Sequence, residues 1–506
     1  MADFLMILNA QHGHGDLDIY NAMQDTTDAT ACYSHVKLSE SPIDCDIAIS
    51  ETECGGQVTT YTSTDRITII CYGNVTNYHV LSKLLNTSVC PCELIIELYK
   101  RYGIDYTVQI LDGYCEFIMI DASDMLNYPT IYVVSDHFGV SPLWIANINM
   151  YQHSDAYNTF AENKRSKQLI AISSNKSQVI NMLKHRMATV KNTHTHTTLI
   201  APRQYSISEF PAGNYIKYNH SNKTCSDWIS ESGYNLYYTL PTKIHTLDVS
   251  TKEGCLLILR YLKQYFAKLH KSDMKSILLQ LDGDIISLLL LNTALSAGVS
   301  VSTFSCGMIK DSKMIRAASH AKYMNVPHTE IYMKGKINAA SQDNCDMHYS
   351  IANICAMHIA QNYDCTKTQV ILAVGAQYMI LGNGEDMLQD NKTFSTMIYN
   401  IVKNMSMPYR SAYDKKSIEM HMPFLERDML EIMMSMPLGI NTYTAVGINL
   451  LWKATHKYSA DIVKNAPPIY AQYDHASIED IHLDGSESMI GWVERQHKTG
   501  SFTLHI

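Results

Sequence analysis

The chain has 506 residues, 46% of them hydrophobic and 18% charged. At ~150 residues per domain this allows two or three full cores and excludes a disordered chain. Lys and Arg number 40 against 49 Asp and Glu, a net charge of −9; so mild an acidic balance excludes binding held by a phosphate backbone.

The first ~210 residues are rich in short runs of strand type bounded by Gly, Asn, Asp or Pro. Examples are Arg66 to Tyr72, Cys115 to Ile120 and Thr130 to Val134. One helix stands between them, Cys92 to Tyr99, with a stop at Gly103. From about Ile244 the pattern changes to helix (Leu256 to Leu269), strand (Ser276 to Leu279), helix (Ile285 to Leu295), strand (Val301 to Ser305) and helix (Ser312 to Met324), followed by His328 to Ile331. That alternation predicts a doubly wound parallel sheet after a β-rich α+β layer. The stretch after Gln472 is polar and weakly patterned.

Six strings in order give this plan a family. Met1 to Asn9 resembles the start of glutamine-hydrolysing asparagine synthetases, and Leu111 to Phe117 resembles that family's Leu-x-Gly-x-Phe-Ala-Phe strand. Asp136 to Leu143 is similar to its Arg-Asp-x-x-Gly-x-x-Pro-Leu turn, and Phe210 to Gly213 to its Phe-Pro-Pro-Gly. Thr303 to Met308 and Met422 to Glu426 resemble Thr-Phe-x-Ile-Gly and Val-Pro-Phe-Leu-Asp. The resemblance implies a glutamine amidotransferase domain of the N-terminal-nucleophile type, an αββα sandwich, over 1–212. It further implies a linker over 213–243 and an α/β ATP-pyrophosphatase-type domain over 244–506. Active members release ammonia from glutamine in the first site and adenylate aspartate with MgATP in the second.

Set against that pattern, the chemical residues are eroded. The nucleophile has to be a Cys carrying its own free amine, and position 2 is Ala2. The arginine that pairs with the substrate carboxylate falls on Asp46, a like charge in place of an attractive fork. The Asn-Gly-Glu turn reads Gly73-Asn74-Val75, with Asn74 one residue out of register, and the amine-binding Asp falls on Pro91. His35-Val36-Lys37 stands where His-Arg-Gly would be. In the second half, the pyrophosphate loop reads Gln280-Leu281-Asp282-Gly283-Asp284, with Leu281 and Asp282 at the two glycine positions. The second loop, Ala373 to Met379, keeps neither carboxylate, and Lys453 is off phase for the family lysine.

Other motifs are weaker. His12/His14 and His194/His196 could each share a strand face toward a metal, but neither pair has further ligands at suitable spacing. Cys90-Pro91-Cys92 reads as the start of a helix with packed thiols, and Met433 to Met436 as soft apolar packing. No run nears the ~20 apolar residues of a membrane span, and Phe4 to Leu8 is too short for a signal peptide. Thirteen scattered cysteines read as free thiols in a reducing, intracellular compartment, the cytoplasm first. From these residues we expect a catalytically inactive member of that family, a structural or regulatory subunit whose partners are other protein chains. No catalytic residue is expected, Ala2 marking the vestigial nucleophile and Asp282, Gly283 and Asp284 a vestigial loop. No cofactor, metal, nucleic acid or membrane insertion is expected, nor is ATP or glutamine binding. Two alternatives stand beside this: an active asparagine synthetase, glutamine- or ammonia-dependent, or a non-catalytic sensor of an amino acid or nucleotide.

Overall fold

Alternation decides the first half of the chain. The computed structural model describes residues 4–8, 32–37, 45–51, 58–87, 89–124, 129–152, 166–192, 200–219, 233–240, 251–273, 276–333, 344–374, 406–414, 416 and 418–435. The chain divides into two compact units. The first comprises Met1–Thr239, Ile359–Thr366 and Val402–Glu419; the second comprises Leu240–His358, Lys367–Ile401 and Met420–Ile506.

In the first unit, strands β1 (Phe4–Leu8), β2 (Cys32–Lys37), β3 (Cys45–Glu51), β4 (Val58–Thr62) and β5 (Ile67–Val75) come first. Helices α1 (Tyr78–Leu85) and α2 (Pro91–Ile110) follow, then β6 (Gly113–Asp121), β7 (Thr130–Val134), β8 (Trp144–Gln152) and β9 (Ser166–Ser173). Helix α3 (Lys176–Asn192), β10 (Ile200–Glu209), β11 (Asn214–Asn219) and β12 (Tyr234–Leu236) complete the series. The strands form two six-stranded sheets, in the orders β10-β8-β9-β1-β3-β2 and β12-β11-β7-β6-β5-β4. Strands β11 and β12 fall in the 213–243 stretch expected as a linker, and pair with each other antiparallel.

Because successive strand residues face opposite ways, one set of side chains from each sheet meets the other sheet. Ile70, Ile118, Ile120, Ile131 and Val133 pack on Met6, Ile145, Ile170 and Ile172 in one core. The residues between them, Ile69, Cys71, Phe117, Met119 and Val134, face α1 and α2 and pack on Leu81, Leu94, Ile95 and Leu98. Across β8 and β9 the paired Ala146 and Ala171 are fully buried, small residues on the side opposite Ile145 and Ile172. Helix α3 packs on β8, β9 and β10, burying Val179, Met182 and Leu183. The result is a helix–sheet–sheet–helix stack. Helix α2 runs beyond the expected stop because it resumes after Gly103, whose φ of 79° and ψ of 174° kink it; a glycine adopts that conformation without a Cβ penalty. The short α1 and the polar α3 were not expected from the sequence.

The second unit contains α4 (Thr251–Asp273), β13 (Ser276–Gln280), α5 (Ile285–Ser296), β14 (Val301–Gly307), α6 (Ser312–Tyr323) and β15 (His328–Tyr332). Helix α7 (Asn344–Asn362) leads to β16 (Thr368–Ile371), α8 (Met407–Asp414), β17 (Glu419–His421) and α9 (Arg427–Ser435); of these, α8 belongs to the first unit and the last turn of α7 crosses the division. The sheet order is β15-β14-β13-β16-β17. Strand β13 pairs in parallel with both β14 and β16, and β14 with β15, as an α/β domain requires. Helix α5 is apolar on nearly every side, with Ile286, Leu288 to Leu291 and Ala294 all buried. No helix among the described residues is long and apolar enough to cross a membrane.

Two of the marked strings meet in the first unit. Asp136 is buried, and its Oδ1 accepts from the backbone N–H of Phe138 (2.8 Å), Gly139 (2.5 Å) and Val140 (3.2 Å), while Oδ2 accepts from Ser141 (3.0 Å). Its own carbonyl takes the N–H of Gly213, at 2.8 Å, at the end of the Phe210–Gly213 string. Burial raises the Asp136 carboxyl pKa, and the four N–H groups pull it back down. Asp136→Ala leaves those donors buried without an acceptor. An unanswered buried donor costs ~1–3 kcal/mol, so a loss of about 3 kcal/mol is expected in urea unfolding, with a smaller loss for Asp136→Asn, which keeps one acceptor.

Candidate functional site

The end of β5 in the first unit gathers the most unusual chemistry. Strand β5 pairs with β6 so that Tyr72 lies opposite Glu116, Gly73 opposite Cys115 and Asn74 opposite Tyr114. Gly73 has φ +101°, and a Cβ there would collide with the Tyr114 carbonyl and stand 3.0 Å from Arg410 Nη2. Gly113, φ +115°, likewise leaves no room for a Cβ beside the Asn74 carbonyl. Both glycines are therefore required by backbone approach as well as by conformation.

Two asparagines three residues apart behave differently here. Asn77 donates to Ile110 O at 2.7 Å and accepts from Asp112 N at 3.1 Å, so its amide serves the chain. Asn74 Nδ2 is buried with no hydrogen-bond partner among the described residues. A buried amide N–H left unanswered costs ~1–3 kcal/mol, so its presence at a strand end calls for an explanation. Glu116 and Arg410 are both about 1% exposed, and the Arg410 guanidinium lies 5.7 Å from the centroid of the Tyr72 ring. Sequence reasoning singled out Asn74 and missed the other two. Glu116 was legible as a carboxylate on the same strand face as Ile118 and Ile120; Arg410 lies far along the chain and carries no local signal.

The other expected positions are spread. Ala2 lies outside the described residues. Asp46 is on β3, paired with Ile7 of β1 and Lys37 of β2, and His35 pairs with Ala48. Pro91 is the first residue of α2 with Cys90 as its N-cap, a position where a missing N–H has no cost. Cys90 is exposed, whereas Cys92 is buried. Hydrogen bonds to Cys115 and Cys92 and burial hold the Cys71 thiol protonated, its Sγ 3.3 Å from Cys115 Sγ. Tyr378, Gln377, Lys453 and both His-x-His pairs lie outside the described residues, as does Met436 beyond the end of α9. Among the described residues no cluster of three His, Cys, Asp or Glu could hold a metal.

In the second unit, the Leu281–Asp284 turn leaves the carboxyl end of β13, between neighbours β14 and β16. That is where the strand order reverses, and ligands of open parallel sheets bind at such a point. Leu281 is fully buried and Asp282 exposed. Asp284 caps α5, accepting from Ile286 N (3.0 Å) and Ser287 N (2.8 Å). Burial, then the Asp282 carboxylate, pushes the Asp284 carboxyl well above the usual range. Gly283 has φ +77°, and a Cβ would collide with the backbone carbonyl of Lys313 on α6. Its carbonyl accepts from Arg316 Nε at 3.0 Å; Arg316 is buried, and its Nη1 has no partner among the described residues. The Cys306 thiol is shifted down by a hydrogen bond from Cys355. His328 bridges Thr303 Oγ1 (2.9 Å) and Ser305 Oγ (3.0 Å), and burial keeps it neutral.

With the geometry in place, comparison with known proteins is informative for the first unit. Residues 28–229 match the glutamine amidotransferase domain. The matched stretch includes β5, β6, Asn74 and Glu116 and covers less than half of the chain. No curated protein matches. Among solved structures, the chain is similar to the NMN synthetase of Francisella tularensis, at 15% identity and a TM-score of 0.22, over 51% of this chain and 99% of that one. It is similar to the NH3-dependent NAD synthetase of Campylobacter jejuni at 12% identity and 0.21, over 47% of this chain and 98% of that one. The glutamine-dependent NAD+ synthetase of Acinetobacter baumannii, solved with ADP, gives 13% identity and 0.23, over 61% of this chain and 53% of that one. At TM-scores this low, nothing about the reaction of this chain rests on them.

The match corrects two expectations. The match to a glutamine amidotransferase domain overturns the expectation of a non-enzyme and that of no glutamine binding. The expectation equated the substitutions at Ala2, Asp46 and the Leu281–Asp284 turn with loss of function. Folding brings Arg410 to the end of β5 and Arg316 to the turn after β13, cations that position-by-position matching does not reveal.

Two outcomes test the turn. Gly283→Ala forces a Cβ into the left-handed region, a strain of ~1–2 kcal/mol before the collision with Lys313 is counted, and is expected to lower stability by about 3 kcal/mol in urea titration. Burial, then Arg316, lowers the pKa of His320 from 6.5 to about 4. Between those values the unfolded chain holds the proton and the folded one does not, so stability falls on acidification from pH 6.5 toward 4, by on the order of 3 kcal/mol. The His320→Gln variant is expected to lose this component, read as the difference between the two unfolding free energies at each pH.

Proposed function

We propose that the chain is an amidating synthetase of the glutamine-amidotransferase-linked kind. The first unit, with the N-terminal-nucleophile sandwich expected over 1–212, takes glutamine. The second uses ATP, released as AMP and pyrophosphate, to activate a carboxylate that nitrogen then amidates. The observation that carries this is the glutamine amidotransferase match over residues 28–229, on the unit where Asn74 holds a buried, unanswered amide donor. A donor placed where negative charge develops on an attacked amide carbonyl stabilises the transition state. In the second unit, Arg316 supports the same reading: its buried Nη1 offers a cation beside the turn at the carboxyl end of β13.

A second reading follows from Ala2, which has no thiol to attack glutamine. Free ammonia would then supply the nitrogen. Both are tested on the full chain with MgATP, a panel of acidic amino acids headed by aspartate, and either L-glutamine or ammonium chloride. Pyrophosphate formed only when acid and nitrogen donor are both present is the expected result. Glutamate released in step with pyrophosphate selects the first reading, and pyrophosphate with ammonium alone selects the second. Neither product under either condition overturns both.

A further inference from the structure

Thiols meet in two places. In the first unit, Cys71 of β5 stands with its Sγ 3.3 Å from Cys115 Sγ of β6, and also bonds Cys92 of α2. In the second unit, Cys306 near the carboxyl end of β14 accepts a hydrogen bond from Cys355 of α7, two elements that folding brings together. Contact alone does not make a thiol reactive: the thiolate is the nucleophile, and an oxidant has to reach it. The first group fails on both counts. Cys71, Cys92 and Cys115 are all buried, and Cys71 is held protonated as the donor to the other two. The second pair meets both conditions. Cys306 is only partly buried, and the bond from Cys355 lowers its pKa against the opposing effect of burial. Cys355 is fully buried, on one face of α7 with Ala352, Ala356 and Ile359. In the string that resembles Thr-Phe-x-Ile-Gly, Cys306 takes the place of the Ile.

We propose that Cys306 and Cys355 are a peroxide-sensitive pair, with Cys306 the attacking sulfur and Cys355 the resolving one. The Cys306 thiolate attacks one oxygen of hydrogen peroxide and breaks the O–O bond. Cys306 becomes a sulfenic acid, and the hydroxide that leaves takes up a proton as water. The Cys355 thiol then attacks the Cys306 sulfur; the S–S bond forms, and the sulfenic oxygen leaves as a second water with the Cys355 proton. Two thiols lose two electrons in all, and one peroxide is reduced. Sulfurs already in hydrogen-bond contact need to approach by ~1–2 Å to reach disulfide length. The bond ties α7 to the end of β14. The plainer role of both thiols is packing, as small apolar side chains. Packing gives neither sulfur a preference in the order of oxidation.

The test is peptide mapping of the full chain by mass spectrometry after brief exposure to hydrogen peroxide, with the remaining thiols blocked by N-ethylmaleimide. A Cys306–Cys355 crosslink that dithiothreitol reverses is the expected product. It is expected to form at least ~10-fold faster than any product at Cys71 or Cys115, since those thiols are both buried and protonated. Cys355→Ser removes the resolving sulfur, and dimedone is then expected to label Cys306 as the sulfenic acid. Cys306→Ser is expected to leave Cys355 a thiol. Mapping of the wild-type chain decides the matter should either variant show no cooperative melt. Oxidation of wild-type Cys306 with Cys355 still a thiol overturns the proposal, as does oxidation of Cys71 and Cys115 ahead of this pair. So does a Cys306 thiol that survives a dose sufficient to oxidise the exposed Cys90, or a Cys306→Ser variant in which Cys355 is oxidised at the wild-type rate.

Discussion

Strands β5, β6 and β7 are buried on both faces, and this constraint governs the first unit. One face serves the core between the sheets and the other serves the helices α1 and α2. A strand in that position has no solvent side on which to place a polar residue. Every polar group along it therefore needs an internal answer, and the departures from apolar sequence become informative. Thr68, Glu116 and Asn74 are such departures. Thr68 is answered by Thr62 across β4, at 3.1 Å. Glu116 and Asn74 lie at the strand end, where Arg410 arrives and the backbone of Gly73 makes room for it.

The second unit meets the same constraint at a single turn. Its sheet pairs β13, β14, β15 and β16 in parallel, so these strands present their carboxyl ends along one edge, where ligands of such sheets bind. Asp284 uses the first free N–H groups of α5 for its own cap. Positive charge at this turn thus comes from a side chain of the neighbouring helix, Arg316, rather than from open backbone donors. The sequence pattern at Asp282-Gly283-Asp284 reads differently once Gly283 is seen against Lys313. Its glycine is kept for the packing of turn on helix.

Most of the fold was legible because it rests on periodicity and turn chemistry, both local. Strands β5, β6, β7, β13 and β14 and helices α5 and α6 lie where alternation and helical spacing place them, within a few residues. The strings at 136–143 and 210–213 proved to be turns joined through Asp136 O and Gly213 N. Helices α1 and α3 were missed because one is short and the other is held by a few buried residues amid polar ones. The site was less legible. Position-by-position comparison shows what has left a motif, as at Ala2, Asp46 and Leu281. It cannot show what has arrived from elsewhere in the chain, because Arg410 and Arg316 are brought to their places only by folding.

The turn built on Asp136 has a kinetic side. Its carboxylate binds N–H groups only two to five residues ahead. Closing so short a loop costs little chain entropy, and loops of about ten residues close in ~10–100 ns. The link from Asp136 to Gly213 joins residues 77 positions apart, a far longer loop to close. A single aspartate thus carries both the cheapest and one of the costlier loop closures of this unit. Its side chain fixes a turn that needs only its own few residues, and its carbonyl ties that turn to the residue preceding β11.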